Sequence, residues 1–288
     1  MHTTSSSRNF FITGVSSGFG QALAQAALAE GHRVIGTVRN AQAASDFERM
    51  HPHNALAQLL DVTDHAAVEK VAAESEKAIG PIDVLVNNAG YGHEGILEES
   101  SLEALRAQFE VNVFGAVAVI KAFLPSMRAR RSGRILNITS MGGFITMPGI
   151  SYYCGSKFAL EGISEALGRE VAGLGIDVTA VAPGSFRTDW AGRSMVRAPR
   201  SIADYDALFD PVRERRQAVS GRQLGDPAKA AAVMLRIATA VERPPTHLLL
   251  GSDALELVTG KLDTLRSLFG AWESTTRSTD ALPLPGAP

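Results

Sequence analysis

Residues 9–30 read NFFITGVSSGFGQALAQAALAE. The first five, Asn9 to Thr13, are a short apolar run bounded by glycine, which predicts a buried strand. Gly14-Val15-Ser16-Ser17-Gly18-Phe19-Gly20 follows at once, and an alanine-rich helical pattern runs from 21 to 30. A strand that turns through glycines into a helix is a phosphate-binding device. The glycines let backbone N–H groups approach a pyrophosphate, and the helix dipole favours its charge. The spacing is T-G-x-x-x-G-x-G rather than G-x-G-x-x-G. Gly14, Ser16, Ser17, Gly18, Phe19 and Gly20 are the candidate dinucleotide contacts of this turn.

Outward from that unit, strand and helix patterns alternate. Strands are expected at 32–38, 55–61, 82–87, 134–139, 176–182 and 246–250. Helices are expected at 64–78, at 102–127 with Pro125 near the end, and at 152–174. This alternation predicts a Rossmann-type α/β fold: a doubly wound parallel sheet of about seven strands with helices on both faces. The expected domain spans 9–273, with flexible tails at 1–8 and 274–288, the latter ending in ALPLPGAP. Residues 188–226 break the rhythm, being long, charged and poorly periodic, and are expected to form a substrate loop or lid. They hold an arginine cluster at Arg213, Arg215 and Arg216. It is either an anion site or a solvated helix face, and the solvated face is the expectation.

A second stretch carries chemistry: SMGGFITMPGISYYCGSK, residues 140–157. Tyr153 and Lys157 are four apart, which stacks them on one helix face. A free phenol has a pKa of about 10, and a neighbouring ammonium is expected to lower it. Such a tyrosine can pass a proton to or from a carbonyl or alcohol oxygen, to which Ser140 can offer its hydroxyl. The set suits carbonyl–alcohol interconversion, and the N-terminal unit suits the hydride carrier. Met141, Phe144, Met147, Phe186 and Trp190 suggest an apolar substrate pocket.

The chain resembles the classical short-chain dehydrogenase/reductase family. The resemblance rests on Thr13-Gly14-x-x-x-Gly18-x-Gly20, Asn87-Asn88-Ala89-Gly90, Asn112, Ser140, Tyr153-x-x-x-Lys157, and Pro183-Gly184 with Thr188. It covers about residues 9–190, and within the family Ser140–Phe144 and Tyr153–Gly162 are similar to the 17β-hydroxysteroid and retinol dehydrogenase branch. It implies that Tyr153 is the acid/base, that Lys157 also binds the nicotinamide ribose, and that Ser140 polarises the substrate oxygen. It further implies that Asn112 holds a water linking the lysine to solvent. Asp61 and Val62 resemble the adenine contacts, Asn88, Ala89 and Gly90 run beside the ribose, and Thr188 anchors the carboxamide near Pro183, Gly184 and Phe186.

Cofactor choice is read at the end of the second strand. An acidic residue there would bind the ribose hydroxyls and select NAD, but the chain has Thr37-Val38-Arg39. The missing carboxylate at Val38 and the guanidinium of Arg39 favour NADP(H). All four catalytic positions are filled, which favours an active oxidoreductase over an idle dinucleotide-binding sensor or an epimerase.

Composition agrees. A net charge of −2 makes no electrostatic case for nucleic acid or an anionic membrane. No apolar run is expected to reach transmembrane length, and the start of the chain lacks a secretory h-region, so a cytoplasmic enzyme is expected. One cysteine, Cys154, excludes an intramolecular disulfide, and the sequon Asn137-Ile138-Thr139 falls in a predicted core strand. His51 and His53 are too few ligands for a metal, and none is expected. The predicted helices 109–127 and 152–174 are apolar beyond one stripe: Val113, Ala116 and Ile120 in the first, Phe158, Gly162 and Ala166 in the second. With the resemblance, this implies a homodimer or homotetramer.

Overall fold

The most apolar runs of the chain become its innermost strands. The computed structural model describes residues 7–281. The first half of the fold is β1 (Asn9–Ile12), α1 (Gly18–Ala29), β2 (Arg33–Val38), α2 (Ala41–Met50), β3 (Ala55–Leu59), α3 (His65–Ile79) and β4 (Val84–Asn87). Then come β5 (Gly92–Glu94), α4 (Leu102–Phe109), a π-helical turn (Glu110–Gly115), α5 (Ala116–Arg130), β6 (Gly133–Ile138), α6 (Ser151–Val171) and β7 (Ile176–Pro183). The remainder is β8 (Met195–Arg197), α7 (Asp206–Ala218), α8 (Pro227–Thr239), β9 (His247–Leu250), α9 (Ser252–Ala271) and α10 (Glu273–Arg277).

Seven strands form one sheet in the order β3-β2-β1-β4-β6-β7-β9, every neighbouring pair parallel. Both faces are covered, so the strands are apolar at successive positions rather than alternating. Phe10 and Ile12 face α1 and α8, against Leu23, Ala27, Met234 and Leu235. Phe11 faces the other way, toward Val119 and Phe123 of α5, with the two phenyl centroids 4.6 Å apart. Truncating either phenylalanine to alanine would cost about 3–5 kcal/mol. The chain winds outward in both directions from the β1/β4 neighbours. Loops therefore splay apart at the carboxyl ends of these strands, where doubly wound sheets bind ligands.

Local signals explain most of the helix starts. Asn40, Asp64, Ser101 and Asp226 each accept a backbone N–H with their side chains at the N-termini of α2, α3, α4 and α8. The expected continuous helix over 102–127 is interrupted by the π turn. Within Leu102–Arg130 one stretch is long and apolar enough to cross a membrane by length and composition alone, but the run carries Glu103, Arg106, Glu110, Lys121, Arg128 and Arg130 and so is not continuously apolar. Its inner residues Val119, Ile120, Phe123 and Met127 pack against the sheet, as in a core helix.

The 188–226 segment is more ordered than its lack of periodicity suggested. β8 pairs in parallel with β5, Gly92 opposite Met195 and Glu94 opposite Arg197, in a second, two-stranded sheet. α7 follows, anchored by the fully buried Phe209. At the chain ends, Arg8, expected in a flexible tail, donates to the carbonyls of Ala238 and Thr239 at the end of α8 (3.0 Å each). Beyond the expected boundary at 273 the chain is still helical through α10. The remaining tail residues, 1–6 and 282–288, lie outside the described residues.

Candidate active site

At the switch point the β1–α1 turn forms one wall of a cleft of about 580 Å³. Gly14 and Gly18 sit at φ of 73° and 61°, the left-handed region open to glycine. The turn is braced from behind. Thr13 Oγ1 accepts the N–H groups of Asn88 and Ala89 (2.9 Å each), and the Asn88 amide donates to the carbonyls of Thr13 (3.0 Å) and Gly14 (2.8 Å). The Gly14 N–H is held by Thr37 Oγ1 at 3.0 Å. Ser17 at the head of α1 makes no side-chain cap, so the first N–H groups of that helix remain for another acceptor. Ser16, Ser17, Gly18 and Phe19 line the cleft, and this cradle fits a pyrophosphate.

Gly20 does not line the cleft. A Cβ there would lie 2.2 Å from the Gly14 carbonyl oxygen and 2.4 Å from the Asn88 amide, so its part is close helix–strand packing. Val38, Arg39, Asp61 and Val62 line the cleft, as do Ala89, Gly90, Pro183, Gly184, Phe186 and Thr188. Asp61 is held below the usual carboxylate range by the Thr63 N–H, with further help from the Thr63 hydroxyl and the Arg39 charge. Asn88 touches the cleft, but its amide is committed to the glycine turn.

Ser140, Tyr153 and Lys157 converge where β6 ends and α6 begins. Ser140 Oγ accepts the Gly142 N–H at 3.0 Å, which fixes the oxygen and leaves its proton to aim. Tyr153 and Lys157 lie one turn apart in α6, both buried and both on the cleft wall. Lys157 Nζ donates to the Ile138 carbonyl at 2.8 Å and stands 5.8 Å from the Tyr153 ring centroid. Burial pushes the Tyr153 phenol up to about 12, against the pull of its hydrogen bond to Ser140. Burial likewise brings the Lys157 ammonium down to about 8, against the Glu161 carboxylate. This corrects the expectation that Lys157 lowers the phenol. The ammonium donates to the Ile138 carbonyl, and desolvation governs the phenol.

Asn112 also departs from the expected picture, because it does not line the cleft. The π turn brings it inward, where its amide donates to the Tyr91 carbonyl (3.1 Å) and Ser156 Oγ (3.0 Å) while Oδ1 accepts the Tyr91 N–H (3.1 Å). Ser156 in turn donates to the Tyr153 carbonyl at 2.7 Å, so Asn112 braces the α6 turn that carries the tyrosine. Gly90 separates it from the lysine: a Cβ there would sit 3.1 Å from Asn112 Oδ1 and 3.7 Å from Lys157 Nζ.

The 188–226 segment roofs the cleft beside Tyr153. Trp190 packs on Tyr153 with ring centroids 5.0 Å apart, and Met141, Met147 and Ile150 complete an apolar floor. Phe144, expected here, lies outside the cleft, its ring edge-on to His247. The arginine cluster is not a solvated face. Arg213 (3.1 Å), Arg216 (2.6 Å) and Arg197 (3.1 Å) all close on Glu94, whose side chain is fully buried. Arg215 alone is exposed. Sequence reasoning missed Tyr91, Glu94, Arg193, Val219 and Gln223. Glu94 offered no signal, since nothing local marks a carboxylate whose partners come from a hundred residues away.

Residues 8–196 match the family model described as short chain dehydrogenase. The chain belongs to the short-chain dehydrogenase family. It is 38% identical over 269 residues to Oxidoreductase BOA17 of Botryotinia fuckeliana, covering 91% of this chain and 96% of that one. It is 37% identical over 205 residues to the NADPH-dependent 3-dehydrocapnine reductase of Ornithobacterium rhinotracheale, covering 69% and 72%. Among solved structures, a short-chain dehydrogenase from Streptomyces avermitilis superimposes with a TM-score of 0.89 at 42% identity, covering 96% of this chain and 99% of that one. This short-chain dehydrogenase is thus of an oxidoreductase family that uses a nicotinamide dinucleotide, and its glycine turn and cleft fit that group.

Proposed function

We propose that the protein is an NADP(H)-dependent oxidoreductase that interconverts a carbonyl and a secondary alcohol on a largely apolar substrate. The observation that carries this reading is the buried Tyr153 phenol, protonated at neutral pH, beside Ser140 and Lys157 and facing the cleft that the glycine turn opens. A bound nicotinamide supplies the hydride. Tyr153 donates the proton to the carbonyl oxygen in reduction and takes it back in oxidation. The Ser140 hydroxyl, with its oxygen pinned by Gly142, orients that same oxygen. Lys157 holds positive charge beside the tyrosine and faces the ribose side, and Asn112 positions both through α6.

Arg39 on the cleft rim and the absence of a carboxylate at Val38 support NADP(H), as does the NADPH-dependent reductase among the relatives. The apolar floor supports a hydrophobic substrate. We assign the working unit to residues 9–273 and the enzyme to the cytoplasm. We also assign it to a homodimer or homotetramer. Phe114, Phe158, Gly162 and Ala166 are exposed on the outer faces of the π turn and α6, although Val113, Ala116 and Ile120 are buried within the monomer. Light scattering that returns a species of 30.5 kDa would remove the oligomer. The enzymatic reading is tested by a panel of ketones and secondary alcohols with each cofactor, read by reduced-nicotinamide absorbance. Turnover with NADPH in preference to NADH is expected. Tight NADPH binding without turnover of any carbonyl would leave an idle dinucleotide-binding protein instead.

A further inference from the structure

We propose that Arg216 gives the substrate end of the cleft a site for an oxyanion, so that the preferred substrate carries a carboxylate-type group on the chain that bears its carbonyl. This deepens the carbonyl-reductase reading above and rests on it. Arg216 reaches down from α7, donating to Glu94 Oε2 at 2.6 Å and to the Pro148 carbonyl at 3.3 Å, and its side chain is only 12% exposed. It nevertheless lines the cleft. A guanidinium carries five N–H donors in a rigid fork, and these two contacts leave part of that fork for a ligand.

Charge points the same way. Arg213 and Arg216 alone bring two positive charges to the single negative charge of Glu94. Glu94 itself is sealed from solvent, so the surplus charge is presented at the cleft wall. The neighbouring wall residues Met147, Ile150, Val196 and Val219 are apolar. In such surroundings an oxyanion gains more from a fixed guanidinium than it would in water. The position is useful for the chemistry too. Pro148, which Arg216 touches, lies between two residues of the floor beneath Tyr153, and the Arg216 charge is felt at Cys154, the residue after the tyrosine. Arg193 also lines the cleft, but Asp189 neutralises it.

Arg216 has a competing role, as a fastener of α7 to Glu94. Arg213 separates the two, because it binds the same carboxylate from the same helix but does not line the cleft. The full-length protein is assayed with NADPH on 3-oxodecanoate and on its methyl ester. Wild type is expected to favour the carboxylate by about ten- to a hundredfold in kcat/KM. Arg216→Gln should lose that preference through KM, Arg216→Lys should keep part of it, and Arg213→Gln should keep it. Equal use of acid and ester by wild type overturns the proposal. So does an equal loss of both substrates in Arg216→Gln and Arg213→Gln. If NADPH binds but neither compound is reduced, the carbonyl reading fails on its own. The oxyanion site is then decided by thermal shift with decanoate and NADPH: a shift lost in Arg216→Gln supports it, and no shift in wild type overturns it.

Discussion

The floor and the roof of the cleft are built by different physics. The floor is the end of the seven-stranded sheet and the start of α6, and its side chains are held by short-range hydrogen bonds to backbone: Ser140 to Gly142, Lys157 to the Ile138 carbonyl, Ser156 to the Tyr153 carbonyl. The roof, residues 188–226, rests on long-range ion pairs. Glu94 gathers Arg197, Arg213 and Arg216, and Glu99 holds Arg200 together with the N–H groups of Ser201 and Ile202. Backbone-bound side chains impose fixed spacings on a sequence, whereas ion pairs between distant segments impose none. A fixed floor suits proton transfer, which needs angstrom precision, and an ion-paired roof suits a surface that varies with substrate.

The largest effect should come from the floor. Tyr153→Phe keeps the ring that packs on Trp190 and removes only the hydroxyl that donates the proton. Turnover should fall by about 10²- to 10⁴-fold while NADPH affinity, read by fluorescence, stays within about twofold. Near-normal kcat on the native substrate would mean that the floor does not carry the proton.

The roof is tested next. Glu94→Gln preserves shape but leaves the three guanidiniums of Arg197, Arg213 and Arg216 around an uncharged group, and breaking such a buried pairing costs about 3–5 kcal/mol. The loss should be local: faster proteolytic nicking within 188–226, with the midpoint of global unfolding much less changed, because Phe10, Phe11 and Phe123 are untouched. A fall in the global midpoint by the full amount would show that floor and roof unfold together and that the contrast between them is one of sequence only.

That contrast also describes what the sequence made legible. The sheet, its seven strands and the places of Tyr153, Lys157 and Ser140 follow from apolar runs, glycine turns and the four-residue spacing in α6. Three things were not legible. The partners of Glu94 lie about a hundred residues along the chain, so Arg213 and Arg216 looked like a solvated face. Gly20 follows the same glycine pattern as Gly18, yet its missing side chain serves packing rather than phosphate access, a difference visible only in the 2.2 Å approach to Gly14. The tyrosine pKa depends on the balance between desolvation and charge, which spacing does not encode.

Cofactor preference sharpens the comparison at the rim. Val38→Asp with Arg39→Ser places a carboxylate where the ribose hydroxyls would lie and removes the guanidinium. Relative affinity should move from NADP toward NAD by about ten- to a hundredfold, the worth of a charge-assisted phosphate contact. Wild type that binds both cofactors equally would sink the assignment before any variant is made. Because Arg39 is exposed, raising the salt concentration should erode the preference.

The smallest effect is a pH dependence that belongs to the floor alone. Lys157 titrates at about 8 in the folded protein, below the value of about 10.4 for a free lysine. Below pH 8 both folded and unfolded chains hold the proton, and the full penalty of a desolvated ammonium is present. Between about 8 and 10 the folded chain gives it up while the unfolded chain keeps it, so the unfolded state binds more protons and stability rises with pH. Tyr153 acts in the opposite sense, but only above pH 10, where the unfolded phenol ionises and the folded one, at about 12, does not. Other groups titrate in the same window, so the reading must be a difference. Urea unfolding of wild type and Lys157→Met at pH 7.5 and pH 9.5 should show wild type gaining on the variant by on the order of 1 kcal/mol. A flat difference would mean that the Lys157 ammonium keeps its hydration. The floor would then be as open to solvent chemistry as the roof, and the pull of burial on both Tyr153 and Lys157 would lose its basis.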